Sequence, residues 1–213
     1  MSPSKSRKRI SHKKKSSNKK IIMIVALLAV VAVATLGYIM LGNSSSSNSS
    51  SDNLPSTNKV MLETSMGNIL IELRDDMPIT TNNFKKLVQQ GVYDDTIFHR
   101  VIDGFMIQGG DPAGTGYGDP SIPNIQDEFT DNNKNDRGTI AMANKGTEYP
   151  NSGSSQFFIN LVDNNYLDSQ HPVFGKVIEG MDIVDAIGKV EVDIESNYRP
   201  LQDVRLIKAY FVD

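Results

Sequence analysis

The sequence predicts a mainly β domain, either a closed antiparallel barrel or a sandwich, preceded by one apolar helix near the N-terminus. Two observations support this prediction. Residues 21–41 form an uncharged, almost wholly apolar run, and after residue 59 short apolar segments alternate with clusters of Gly, Pro, Asn and Asp. Many short strands with only two helical stretches are typical of antiparallel β architectures and not of a βαβ sheet. The 213 residues suffice for one such domain with accessory segments.

The charge is distributed unevenly along the chain. Residues 1–20 hold nine of the 22 Lys and Arg residues and no acidic residue, which leaves 13 basic against 25 acidic residues in the remainder. The remainder of the chain, residues 21–213, therefore carries a net charge of −12. Neutralising phosphates requires a positive face on the domain itself, so this balance argues against a nucleic-acid partner.

Residues 21–41 predict a transmembrane helix that acts as a signal anchor. At about 1.5 Å per residue the run spans roughly 32 Å, close to the ~30 Å hydrocarbon core of a bilayer. Lys and Arg crowd its N-terminal side, so the positive-inside rule makes residues 1–20 a basic cytoplasmic tail. We expect a single-pass protein of the cell membrane, with its domain outside the cytoplasm. The alternative is a cleaved signal peptide with a site at Ala32-Val33-Ala34, although the run exceeds the usual ~7–15 apolar residues.

Residues 42–58 consist mostly of Ser and Asn and predict a flexible linker, because this composition buries too little apolar surface to become ordered. The domain is expected over residues 59–213. Asn43 and Asn48 each begin a glycosylation sequon, and an unmodified spacer is at least as good an interpretation. The chain has no Cys, so neither a disulfide nor a thiolate metal site exists.

The secondary structure of the domain follows from spacing and turn residues. Residues 59–64 and 68–74 predict a hairpin around Ser65-Met66-Gly67. Pro78 and the apolar face at Phe84, Leu87 and Val88 predict a helix that ends near Gly91. A second helix is expected over residues 181–187. Further strands are expected within residues 97–102, 105–108, 139–143, 156–160, 173–177 and 204–211.

Four segments stand in a distinctive order and spacing. They are residues 98–111 (FHRVIDGFMIQGGD), residues 142–144 (MAN), residues 153–159 (GSSQFFI), and residues 166–177, which contain YLD, His171 and VFGKV. Together these motifs resemble the cyclophilin family over essentially all of residues 59–213. The resemblance implies a closed eight-stranded antiparallel barrel capped by two helices. It also implies peptidyl-prolyl cis/trans isomerase activity, with no cofactor and no metal ion.

The resemblance also assigns the candidate site. Its catalytic residues would be Arg100, Phe105 and Gln108. Its substrate-binding residues would be Met106, Ala143, Asn144, Gln156, Phe158, Tyr166, Leu167 and His171. Rotation about an X-Pro bond needs only a fixed donor aimed at the prolyl nitrogen, and Arg100 supplies a planar, permanently charged group of donors. By pattern alone Arg100 would be a surface ion-pair partner and the apolar residues would be core.

The resemblance implies proline-containing polypeptides as substrates, and residues 21–41 imply the lipid bilayer as a partner. We expect a monomer that assists the folding of extracytoplasmic proteins. Family members that bind cyclosporin tightly carry Trp where this chain has Tyr166, so weak cyclosporin binding is expected. Residues 111–127 are compact, as in the shorter microbial cyclophilins. His99 is expected to be structural because its side chain alternates away from Arg100.

Other functional classes fit the sequence less well. The glycines at 114, 116 and 118 lack phosphate-loop spacing, and residues 131–142 lack the Gly and the closing Glu of a calcium loop. No G-x-S-x-G elbow of a serine hydrolase is present. The rival that stays open is a cyclophilin-fold binding module that holds proline-containing segments without turnover.

Overall fold

A computed structural model of the chain describes residues 54–213. The expected basic tail and transmembrane helix, and the expected linker up to residue 53, lie outside the described residues. Over residues 54–213, no helix is both long enough and apolar enough to cross a membrane.

The described chain contains eleven strands, two α-helices and one short 3-10 helix. The strands are β1 (Lys59–Thr64), β2 (Gly67–Leu73), β3 (Thr96–Ile97), β4 (Arg100–Ile102), β5 (Met106–Gly109), β6 (Thr139–Met142), β7 (Phe157–Asn160), β8 (Val173–Glu179), β9 (Val192–Asp193), β10 (Arg199–Pro200) and β11 (Arg205–Val212). The helices are α1 (Pro78–Gln89) and α2 (Met181–Gly188), and the 3-10 helix spans Asn165–Leu167.

Nine strands form one antiparallel sheet in the order β3-β11-β1-β2-β8-β6-β7-β5-β4, while β9 and β10 form a separate ribbon. The two edge strands, β3 and β4, are not paired with each other. The backbone N–H of Phe98 binds the carbonyl of Val204, and that of Val101 binds the carbonyl of Tyr198. The segment from Tyr198 to Val204 thus accepts hydrogen bonds from backbone groups that would otherwise be available to pair β3 with β4 in a closed barrel. The prediction of a closed eight-stranded barrel was therefore wrong, and the sheet is a half-barrel with two helices.

The predicted hairpin is confirmed. Strands β1 and β2 pair from Lys59 opposite Glu72 to Thr64 opposite Gly67, so Ser65 and Met66 form the turn. Gly67 has φ of +136°, a conformation that L side chains rarely adopt. The turn glycine therefore sets the register that directs alternate β1 residues into the core.

Both predicted helices are confirmed. Helix α1 begins at Pro78, and the side chain of Glu128 accepts hydrogen bonds from the backbone N–H groups of Ile79 (3.3 Å) and Thr80 (3.1 Å). A carboxylate at this position satisfies otherwise unpaired donors of the first turn. Helix α2 follows Gly180, which has φ of +83°.

The main core lies between the sheet and the helices and is centred on aromatic side chains. Phe84 of α1 contacts the rings of Tyr93, Phe157 and Phe174 at centroid distances of 5.0, 5.7 and 5.1 Å. The buried Tyr93 hydroxyl donates to the carbonyl of Ser155 (3.1 Å). Each such ring contributes roughly 1.5–3 kcal/mol through burial alone. This cluster therefore fixes β7 and β8 against helix α1.

Residues before the expected start of the domain at residue 59 also contact the domain. The buried ammonium of Lys85 donates to the carbonyl of Pro55 (3.2 Å) and to the side chain of Asn58 (2.6 Å). The Thr57 hydroxyl donates to the carbonyl of Val212 (2.6 Å). The last residues of the expected 42–58 linker are therefore attached to the domain.

Candidate active site

A second apolar cluster lies apart from the main core, against strands β5, β6 and β7. Its buried members are Met106, Ala141, Phe158, Leu167 and Val173, and it is flanked by the partly buried Ile102, Phe105 and Ala143. Strand β7 explains the separation, since Phe157 and Ile159 belong to the main core while Phe158 points the other way. The structure thus brings together the expected pocket residues Phe105, Met106, Ala143, Phe158 and Leu167.

Two members of this cluster were not expected from the sequence. Ala141 lies between Ile140 and Met142, which both belong to the main core, and Val173 precedes Phe174, which also does. Strict alternation along β6 and β8 would have placed both residues on the pocket face. The pocket is therefore lined from four neighbouring strands, β5, β6, β7 and β8, and from the 3-10 helix.

His171 forms part of the rim. Its ring meets Phe158 edge to face at 5.2 Å, and its Nδ1 lies 3.1 Å from the carbonyl oxygen of Met142. A carbonyl can only accept, so Nδ1 carries the proton and Nε2 is the acceptor of the neutral ring. Burial lowers the pKa of His171 below its ordinary value of 6.5. The imidazole is therefore neutral at physiological pH.

A row of polar side chains runs beside the apolar cluster. The Arg100 guanidinium donates from Nη1 to Oε1 of Gln108 (3.3 Å), and Gln108 Nε2 donates to Oε1 of Gln156 (3.0 Å). Gln156 Nε2 then donates to the carbonyl oxygen of Gly116 (3.0 Å). Arg100 stands directly opposite Gln108 in the sheet, and Gln108 stands opposite Phe158. The strand register therefore places the cation next to the apolar pocket.

Arg100 is partly buried. Its Nε is buried and, over residues 54–213, has no hydrogen-bond partner. Burial lowers the pKa of the guanidinium, and the Tyr198 phenol opposes this shift. The group nevertheless stays cationic at neutral pH because its ordinary pKa is far above 7. A charged donor in such surroundings acts more strongly than one in bulk water.

Three expected site residues have more specific environments than the sequence indicated. The Asn144 amide donates to the carbonyl of Gln170 (2.7 Å) and accepts from the N–H of Gly146 (3.0 Å), so its side chain holds a loop. The Ala143 N–H donates to the carbonyl of Gln156 (3.0 Å). Tyr166 is 67% exposed and stacks on Phe105 at 6.4 Å.

A cavity of about 540 Å³ adjoins the polar row. Gln108, Ala143, Asn144 and Gln156 line it, together with the loop around Tyr117. Over residues 54–213, no group of three or more acidic or His side chains is arranged to hold a metal ion. The arrangement can receive a small apolar ring and present a fixed cationic donor to it. The adjoining cavity can accept a neighbouring part of an extended ligand.

Comparison with known proteins places these features in one family. The family model described as cyclophilin type peptidyl-prolyl cis-trans isomerase/CLD matches residues 59–211. The peptidyl-prolyl cis-trans isomerase-like 1 of Homo sapiens is 46% identical over 155 residues, covering 71% of this chain and 90% of that protein. The peptidyl-prolyl cis-trans isomerase ppi1 of Schizosaccharomyces pombe is 45% identical over 156 residues, covering 70% and 96%.

Solved structures show the same likeness. A cyclophilin type peptidyl-prolyl cis-trans isomerase of Cryptosporidium parvum is 33% identical, with a TM-score of 0.66, and covers 71% of this chain and 95% of its own. A second structure, in the presence of the dipeptide Ala-Pro, is 31% identical with a TM-score of 0.67 and covers 73% and 99%. The expected likeness to short microbial members stays a prediction.

The buried His99 and the partly buried His171 predict a pH dependence of stability. Burial lowers the pKa of both His99 and His171 below 6.5. The unfolded chain then binds more protons than the folded chain once the pH drops through 6.5, so the free energy of unfolding should fall between pH 7.5 and 5.5. Denaturant titrations at several pH values across this range measure the free energy of unfolding. In His171→Gln this free energy should depend less steeply on pH than in the wild type. A pKa above 6.5 for either histidine, measured by NMR titration, would contradict the lowered pKa values.

Proposed function

Because the chain belongs to the cyclophilin family of peptidyl-prolyl cis-trans isomerases, we propose that Arg100 catalyses rotation about X-Pro bonds in polypeptides outside the cytoplasm. The observation that carries the catalytic assignment is the hydrogen bond that holds the Arg100 guanidinium beside the apolar cluster. The Ala-Pro dipeptide of the Cryptosporidium parvum structure supports a proline-containing ligand.

The proposed chemistry follows from the nature of the amide bond. Rotation faces a barrier of about 18–20 kcal/mol because resonance is lost as the bond twists. The prolyl nitrogen regains a lone pair in the twisted state and becomes an acceptor. A cationic donor aimed at that nitrogen binds the twisted state better than either planar isomer, which is the condition for catalysis. No bond to the protein forms or breaks.

The remaining site residues divide into three roles. Met106, Phe158 and Leu167 receive the prolyl ring, and Phe105 with Tyr166 extends the apolar wall outward. Gln108 and Gln156 stand between the pocket and the adjoining cavity, where they can bind the backbone of the substrate. Ala143 lines the same opening, whereas Asn144 and His171 support the rim. The residues that bind the prolyl ring are therefore different from Arg100, the donor that acts on the prolyl nitrogen.

Replacing Arg100 tests the catalytic role. Arg100→Ala should lower kcat/KM by roughly 10²–10³-fold, the usual effect of removing one preorganised donor. Affinity for a proline-containing peptide should fall much less, because the apolar contacts remain. Arg100→Lys should recover part of the rate, since it keeps the charge without the planar group of donors. A protease-coupled prolyl-peptide assay and calorimetric titration measure the two quantities.

The matched control is Arg137→Ala, which removes an exposed Arg that is paired with Asp185. This variant should keep the wild-type rate. A folded Arg100→Ala protein with a near wild-type rate would favour the binding module, which holds proline-containing segments without turnover.

The proposed location rests on the sequence of the first 58 residues. A basic tail, an uncharged apolar run and a Ser/Asn-rich segment are together typical of a membrane-tethered protein with its domain outside the cytoplasm. The tether would place isomerase activity where newly exported chains fold. We propose that the chain acts there as a monomer.

Cell fractionation tests this topology. The full-length protein should remain with membranes after a high-salt wash, and protease added to intact cells or spheroplasts should remove the domain. Complete protection from protease, or a mature N-terminus near residue 35, would exclude the proposed anchor. Elution as an oligomer after detergent solubilisation would exclude the monomer.

We also propose weak cyclosporin binding. Tyr166 is exposed and stacked on Phe105, and its hydroxyl cannot reproduce an indole N–H donor at the same place. Losing one neutral hydrogen bond costs about 0.5–1.5 kcal/mol, or roughly 2–13-fold in affinity. Tyr166→Trp should therefore bind cyclosporin more tightly in a calorimetric titration. Equal dissociation constants for both proteins would exclude this position as the cause.

A further inference from the structure

Asp111 is a fully buried carboxylate directly beyond the end of β5. Its Oδ1 accepts from the backbone N–H of Ala113 (3.1 Å). Its Oδ2 accepts from the N–H and hydroxyl of Thr115 (2.8 and 3.0 Å) and from the N–H of Gly116 (2.7 Å). Four donors thus converge on one side chain, which folds residues 111–116 into a compact loop. We call residues 111–116 the Asp111 loop.

The Asp111 carboxyl is held in its charged form. Burial alone would raise its pKa, but the hydrogen bonds from Gly116, Ala113 and Thr115 outweigh this and lower the pKa below its ordinary value. The loop is fastened at a second point, where Arg199 Nη1 donates to the carbonyl of Gly114 (3.1 Å). Its outer end, Gly116, is therefore fixed in position.

The carbonyl of Gly116 is the last acceptor of the polar row that ends at Arg100. A Gln side chain has an acceptor at one side and donors at the other, so the row has a direction. Because Gly116 offers an oxygen, Gln156 must turn its NH₂ toward the loop and its Oε1 toward Gln108. Gln108 must then turn its own Oε1 toward the Arg100 cation.

We propose that Asp111 is a positioning residue for isomerisation, which fixes Gly116 and so sets the orientation of Gln156, Gln108 and finally Arg100. This inference rests on the proposed role of Arg100. Within residues 54–213, the side chain of Gln108 is the only acceptor of the Arg100 guanidinium. If Gly116 moves, Gln156 and Gln108 can reverse, and Gln108 then presents its NH₂ donors to a cation. The guanidinium turns away from the prolyl nitrogen, while the apolar pocket is unchanged.

The test is a double-mutant cycle of Asp111→Asn and Gln156→Leu, with kcat and KM measured separately. Asp111→Asn places an NH₂ among the donors of the loop, and it should lower kcat by roughly 10–100-fold with KM within about two-fold. In the Gln156→Leu background, where the row is already interrupted, the same substitution should lower kcat by less than about two-fold. A purely structural role would leave the two effects additive.

A matched control is Asp193→Asn in the β9–β10 ribbon. Asp193 likewise accepts from a backbone N–H, that of Glu195 (3.0 Å), and from a hydroxyl, that of Ser196 (2.5 Å), but it lies outside the polar row. It should keep the wild-type kcat. If Asp111→Asn does not fold, Thr115→Val removes one of the four bonds. It should lower kcat about two- to five-fold in the wild-type background and not in the Gln156→Leu background.

Two outcomes overturn the proposal. The first is a wild-type kcat for folded Asp111→Asn, or for Thr115→Val if Asp111→Asn does not fold. The second is a decrease in kcat that is as large in the Gln156→Leu background as in the wild-type background. Either result, combined with an inactive Arg100→Ala, would remove the role of Asp111 and leave the proposed function intact. An active Arg100→Ala would instead remove the proposed function itself.

Discussion

The hydrogen bond between Arg100 and Gln108 is the interaction on which the proposed site depends. It joins the only cationic group of the polar row to the strand that carries the pocket residue Met106. Two registers create it, since Arg100 stands opposite Gln108 across β4 and β5, and Gln108 stands opposite Phe158 across β5 and β7. A shift of one residue in either pair would turn the side chain toward the opposite face of the sheet.

The main core stabilises these registers. Phe157 and Ile159 of β7 are packed on the side of helix α1, and this contact leaves Phe158 on the other side. Strand β7 is therefore buried on both faces, one by the core and one by the pocket. A small apolar pocket on the outside of a well-packed sheet keeps its shape without a ligand, which reduces the ordering that binding would otherwise require.

Local features of the fold could be predicted from the sequence. The turn at Gly67 predicts the first hairpin, and the spacing of Phe84, Leu87 and Val88 predicts helix α1, because both depend on residues close together in the chain. The four motifs within residues 98–111, 142–144, 153–159 and 166–177 predicted Arg100 and the pocket residues. They did so only through resemblance, since apolar alternation does not distinguish a pocket wall from a core residue.

Long-range contacts could not be predicted in this way. The sheet edge at Phe98 and Val101 binds the segment from Tyr198 to Val204, about a hundred residues away, so the sheet does not close into the expected barrel. Asn144 is predicted to bind substrate, and its amide also holds the carbonyl of Gln170. The orientation of Gln156 likewise depends on Gly116, forty residues earlier in the chain. Each is a tertiary hydrogen bond with no local sequence signal.

The rate of isomerisation should depend on how Arg100 is held and not only on its presence. Two-dimensional NMR exchange on an Ala-Pro-containing peptide, with wild type and Gln108→Leu, separates cis/trans interconversion on the protein from binding and release. Gln108→Leu keeps the guanidinium but removes its acceptor. Interconversion on the protein should slow by roughly tenfold or more, a larger factor than the change in the release rate, which reports only the lost contact between Gln108 and the substrate backbone. Unchanged interconversion on folded Gln108→Leu would contradict the account.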